Sequence, residues 1–106
     1  MSGREVVLLA DDEPLSREFL QEALQSFGLE VHAVADGREA IAALGQRSFD
    51  LVVTDWRMPH ADGFAVLAAS KQADPDRPVV LVTAHGTMHT AVQAIRQGAD
   101  DVHYRR

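Results

Sequence analysis

Three short runs of this chain are apolar almost throughout: Val6-Val7-Leu8-Leu9-Ala10, Leu51-Val52-Val53-Thr54 and Val79-Val80-Leu81-Val82-Thr83. A strand with one face in water alternates apolar and polar residues, so a strand without that alternation has to be covered on both faces. Between these runs the apolar residues recur at intervals of three and four. Leu15, Phe19, Ala23, Leu24 and Phe27 follow the first run, and Met88, Ala91, Val92 and Ile95 follow the last. That is helical spacing, with Gly28 and Gly98 as stops. Glu30 to Val34 reads as a second strand, and Asp36 can cap a short helix carrying Ala40, Ile41 and Leu44. Phe64 to Gln72 reads as a third helix, and Asp74-Pro75-Asp76-Arg77-Pro78 as a breaker. Asp101 to Tyr104 supplies a fifth strand. Strands alternating with helices predict an α/β fold with a parallel sheet and right-handed crossovers.

At 106 residues the chain is expected to form one domain over 1–106. Its 16 acidic and 10 basic side chains give a formal charge of −6, which argues against direct nucleic-acid binding. No apolar run approaches the ~18 residues of a membrane span, and the first residues lead directly into a strand pattern. A cytoplasmic protein without membrane contact is the expectation. Without cysteine there is no disulfide framework, thiolate metal site or cysteine nucleophile.

Parallel α/β folds bind ligands outside the carboxyl ends of their strands. The first apolar run ends in Asp11-Asp12-Glu13, the third strand in Asp55, and the fourth in Thr83-Ala84. One Asp after a strand is ordinarily a helix cap or turn former, and Asp11 or Asp12 could serve the first helix that way. Thr83 alone would be a β-former at a strand end. If the first and third strands are neighbours, however, several carboxylates converge, and a proton or a cation has to relieve their repulsion. An oxygen-only ligand set suits a hard cation, Mg²⁺ being the common one. Beside it a carboxylate oxygen can attack a phosphoryl group, and the Thr83 hydroxyl can contact the incoming oxygens.

The segment LVVTDWRMPHADG, Leu51 to Gly63, is the specific signal. It resembles the phosphoacceptor segment of response-regulator receiver domains: an apolar strand, Asp55, then Met58-Pro59 and Asp62-Gly63. Asp11-Asp12 is similar to the family's acidic pair, Val79 to Gly86 to its switch-threonine segment, and Gly98 to Asp101 to the turn before its last strand. The resemblance implies a flavodoxin-like doubly wound sheet of order 2-1-3-4-5, with two helices on one face and three on the other. It implies that Asp55 accepts a phosphoryl group from a sensor histidine kinase and that the domain switches an output domain or effector. It implies Mg²⁺ held by Asp12, Asp55 and the backbone carbonyl of Arg57, with Asp11 acting through water. Thr83 would contact the phosphoryl group. Arg57 and His85 fall at positions that modulate hydrolysis. The stretch from Val79 to Ala99 resembles receivers that precede ATPase-type transcriptional activators.

The chain departs from the family pattern at its end. The family lysine and the proline after it correspond to Arg105 and Arg106, and arginine is not interchangeable with lysine at a phosphate. Val102 stands at the usual aromatic position, with Tyr104 two residues on. The last helix is missing, so the expectation is a receiver domain incomplete at its C-terminal end. Its phosphorylation would be retained, its coupling to output impaired, and a homodimer would cover the face left open.

Two other classes compete. A haloacid-dehalogenase-type Mg²⁺ phosphatase expects Asp-x-Asp after the first strand and room for a cap domain. A receiver-like binding module that takes no phosphate would fit the missing lysine but not the Asp12, Asp55 and Thr83 set. His85 and His89 have the spacing of zinc ligands, but Gly86 lies between them and the helix is expected to start near Thr87, so zinc is not expected. His60 reads as an exposed loop residue, and Met88 and Phe64 as core contacts.

Overall fold

The structure, a computed structural model, describes residues 4–83 and 88–104. The expectations for Arg105, Arg106, Ala84, His85, Gly86 and Thr87, and for the side chains of Met88 and Tyr104, fall outside the described part. The chain runs β1 (Val6–Ala10), α1 (Pro14–Ser26), β2 (Glu30–Val34), α2 (Gly37–Leu44), β3 (Leu51–Asp55), α3 (Gly63–Ala73), β4 (Val79–Thr83), α4 (Met88–Arg96) and β5 (Asp101–Tyr104). The five strands form one parallel sheet of order β2-β1-β3-β4-β5. Each element thus has the type its residue pattern predicts. β3 takes in Asp55 itself, and α3 starts one residue earlier than the pattern suggests.

Local chemistry sets the boundaries. Asp36 caps α2, its Oδ1 accepting from Glu39 N–H at 2.8 Å, and Asp62 caps α3 by accepting from Ala65 N–H at 3.0 Å. α1 begins with Pro14, whose fixed φ and missing N–H suit a first turn. Its cap is Glu13, not Asp11 or Asp12, with Oε1 accepting from Leu15 N–H at 3.4 Å. Gly28 and Gly98 end α1 and α4 at φ +86° and +108°, in the left-handed region that a Cβ disfavours.

Alternation along the buried strands divides the interior in two. Leu8, Ala10, Val52, Val79 and Leu81 face α2 and α3, where Ala40, Ala43, Leu44, Val66 and Leu67 close a large core that also takes in Ala94 of α4. Val7, Leu9, Val53 and Val82 face the other way, towards Leu20 and Leu24 of α1. Among the described residues α1 is the helix of this second face. None of its residues is fully buried, and Leu15, Phe19 and Phe27 are 75%, 70% and 82% exposed.

Candidate functional site

The sheet order places β1 and β3 side by side, with Ala10 opposite Thr54. The residues that leave the two strands at the same edge are therefore Asp11 and Asp55. Asp12 follows on the turn into α1. One carboxylate oxygen from each of the three lies within 4.8 Å of the others. Asp11 and Asp55 are buried, at 1% and 7% exposure, while Asp12 is exposed. Among the described residues this is the one group whose side chains could together hold a metal ion.

Hydrogen bonds orient the two buried carboxylates. Asp11 Oδ1 accepts from Glu13 N–H at 3.0 Å, and Asp11 Oδ2 from the Ser16 hydroxyl. Arg17 Nη1 donates to the Asp11 carbonyl at 2.8 Å. The first turn of α1 thus grips the acidic turn from below. Asp55 Oδ1 accepts from Trp56 N–H at 2.7 Å, which fixes the plane of that carboxylate. Thr83, fully buried, ends the neighbouring strand one residue beyond Val82, which pairs with Asp55.

The loop from Trp56 to Asp62 is shaped by close backbone approach. Gly63 N–H donates to the Trp56 carbonyl at 2.7 Å. A Cβ on Gly63 would stand 2.4 Å from the Asp55 carbonyl oxygen and 2.9 Å from Trp56 Cα, so no larger residue fits. A Cβ on Gly37 would meet the Ala61 carbonyl oxygen at 1.9 Å, so the far side of the loop rests directly on the start of α2. His60 is exposed, as expected, and has φ +72°, with Ala61 N–H donating to the Pro59 carbonyl across it at 2.8 Å. Phe64 is half-buried against the larger core, again as expected.

Trp56 and Arg57 form an arrangement with no signal in the residue pattern. The indole meets Phe64 edge-on, with ring centroids 6.2 Å apart and planes at 77°. The Arg57 guanidinium lies over the indole, 4.9 Å from its centroid. Ser16 and Arg17 also escape a reading based on strand ends, although both lie within one turn of the acidic pair. Arg57 sits on the exposed side of the loop next to Asp55. His89 is exposed on the first turn of α4.

Comparison with known proteins gives a consistent result. Residues 7–103 match the response regulator receiver domain. The chain is 41% identical over 101 residues to the C4-dicarboxylate transport transcriptional regulatory protein DctD of Rhizobium meliloti, covering 95% of this chain and 22% of that protein. It is 40% identical over 98 residues to the DNA-binding transcriptional regulator NtrC of Salmonella typhimurium, covering 92% of this chain and 21% of that one. The chain therefore spans about a fifth of the length of these relatives. Among solved structures it resembles the response regulator TrrA of Thermotoga maritima in complex with Mg²⁺ and BeF, with 30% identity and a TM-score of 0.86 over 96% of this chain and 87% of that one. It also resembles the chemotaxis protein CheY4 of Vibrio cholerae, with 28% identity and a TM-score of 0.89 over 97% of this chain and 88% of that one.

Proposed function

The chain belongs to the response regulator receiver domain family, and from that premise we propose that it is a phosphoacceptor switch taking a phosphoryl group from a phosphohistidine of a sensor kinase onto Asp55. The observation that carries this reading is the meeting of Asp11, Asp12 and Asp55 at the carboxyl edge of β1 and β3. Two of these carboxylates are buried, and like charges so close are stable together only with a neutralising partner. Three carboxylate oxygens within 4.8 Å fit a small hard cation, and the chemistry of the donor set favours Mg²⁺. Asp12, Asp55 and the Arg57 backbone carbonyl would hold it, with Asp11 acting through water. Bound there, the ion supplies charge neutralisation for the incoming phosphoryl oxygens.

The chain's own residues do the rest. Trp56 N–H holds the Asp55 carboxylate in one orientation, so an oxygen is presented for in-line attack on phosphorus. The P–N bond to the donor histidine breaks, its electron pair stays with the imidazole, and an aspartyl phosphate forms on Asp55. Thr83, at the end of β4, would donate its hydroxyl to a phosphoryl oxygen. Arg105 would stand in for the family's lysine. Hydrolysis of the acyl phosphate by water resets the switch, so this is a signalling domain with self-directed chemistry rather than an enzyme of metabolism. The output we propose is transcriptional, through a domain or effector outside this chain, in a cytoplasmic setting. No helix among the described residues is long and apolar enough to cross a membrane.

The test is a mass measurement. Incubated with acetyl phosphate and Mg²⁺, the protein should gain one phosphoryl group that Asp55→Asn and omission of Mg²⁺ both remove. Acyl phosphates are labile, so a beryllofluoride adduct followed spectroscopically gives a second readout. An unmodified wild type, or equal modification of Asp55→Asn, overturns the reading.

A further inference from the structure

We propose that Trp56 is a positioning residue for Arg57: its indole holds the guanidinium away from the carboxylate cluster and so keeps Arg57 from competing with a divalent cation for Asp11, Asp12 and Asp55. The proposal rests on the reading of that cluster as a divalent-cation site.

Arg57 is two residues from Asp55 on the same loop, and its side chain is long, permanently charged and exposed. Three carboxylates within 4.8 Å of one another form a strong local attractor for such a group. An arginine that reached them would act as a built-in competitor for the metal. Instead the guanidinium sits 4.9 Å from the centroid of the indole, and Arg57 makes no ion pair with a described residue. Among aromatic faces indole attracts cations best, and the flat guanidinium can stack on it as an ammonium cannot.

The platform is well anchored. Trp56 N–H donates to Asp55 Oδ1 at 2.7 Å, and its carbonyl accepts from Gly63 N–H at 2.7 Å. Its ring packs edge-on against Phe64 and onto the larger core. The residue that supports the acceptor carboxylate through its backbone therefore restrains the neighbouring cation through its side chain.

Mn²⁺ titrations followed by the paramagnetic resonance of the free ion test this, because they do not depend on tryptophan emission. Trp56→Leu should weaken Mn²⁺ binding by roughly two- to fivefold, the size an exposed cation–π contact carries. Arg57→Ala, which keeps the backbone carbonyl, should bind Mn²⁺ somewhat more tightly than wild type. In the Arg57→Ala background Trp56→Leu should cost nothing further, because the competitor is gone. Arg57→Lys keeps the charge but stacks poorly and should weaken binding in the direction of Trp56→Leu. Trp56→Phe preserves a ring on Phe64 and should show a smaller loss with the same dependence on Arg57, so the question stays answerable if the leucine variant does not fold. Equal losses in both backgrounds mean that the indole acts through packing and overturn the proposal, as does no loss in either. A wild type that binds no Mn²⁺, or one matched by Asp55→Asn and Asp12→Ala, removes the cation site and the proposal with it. That result is distinct from an intact site insensitive to Trp56.

Discussion

His60 is the one non-glycine residue of the described chain with a positive φ, at +72°, on the loop that follows the candidate acceptor. A Cβ in the left-handed region costs about 1–2 kcal/mol, and the narrow turn between Pro59 and Ala61 holds it there. Glycine removes that strain but adds about 0.5–1 kcal/mol of chain entropy to the unfolded state. The strain is the larger of the two, so His60→Gly should stabilise the domain by roughly 0.5 kcal/mol. A urea titration with an unchanged slope and a raised midpoint would show this, and a lowered midpoint would mean that the imidazole makes a contact worth more than its strain. At this scale the sequence was legible where chemistry is local. Asp36 caps, and Gly28 and Gly98 stop, because each acts on its own turn. It was not legible at Trp56 and Arg57, since a stack between adjacent loop residues leaves no periodic trace. Glu13 takes the cap expected of Asp11 or Asp12, because Asp11 is committed to Ser16 and the Glu13 N–H.

Among the described residues, the apolar runs and helical spacings identify β1, β3, β4 and the helices, because strands covered on both faces and amphipathic helices carry different periods. The pattern says little about how elements are tied to one another. Arg77 lies in a segment that reads as a breaker, yet it is buried, its Nε donating to Ser70 Oγ at 2.9 Å. Asp100, in the turn before β5, clips three elements together. Its Oδ2 accepts from Lys71 Nζ of α3 at 2.9 Å and from Val79 N–H of β4 at 2.8 Å. The Lys71 hydrogen bond, followed by the Val79 N–H, holds the Asp100 carboxyl below its ordinary value of 3.8. A carboxyl whose folded pKa is depressed adds stability above its unfolded pKa, and that contribution is lost as pH falls through the folded value. The stability gap between wild type and Asp100→Asn should therefore be present at pH 7 and narrow at pH 3. Urea midpoints of both proteins at both values provide the check, and a gap independent of pH would count against the ion pair.

Over the whole molecule, the runs apolar on both sides are the three central strands β1, β3 and β4, whereas the order 2-1-3-4-5 that brings Asp11 to Asp55 was implied by the family resemblance and not by the apolar pattern. Helical periodicity fixes the direction a residue points but not whether anything lies opposite it. Leu15, Phe19 and Phe27 share the spacing of Leu24 and yet stand open on the flank of α1. A contiguous apolar stripe of this kind favours association, and a two-fold pair is the commonest closed form. The apparent mass in light scattering should rise with concentration, and Phe19→Glu should abolish the rise; a wild type that stays monomeric at every concentration excludes it. The grip of Ser16 and Arg17 on Asp11 has a consequence of another kind. A helix with no fully buried residue opens locally at little cost, so its amides exchange with solvent sooner than those of α3, where Val66, Leu67 and Ser70 are buried. Each such opening releases the hydrogen bonds that orient Asp11. A ligand that requires Asp11 in place must therefore resist the opening, by an amount that grows with its concentration over its dissociation constant. Saturating Mg²⁺ should slow deuterium uptake along α1 more than along α3, and Ser16→Ala should shrink that difference. Uptake that slows equally in both helices would mean that the acidic turn and the helix below it move independently.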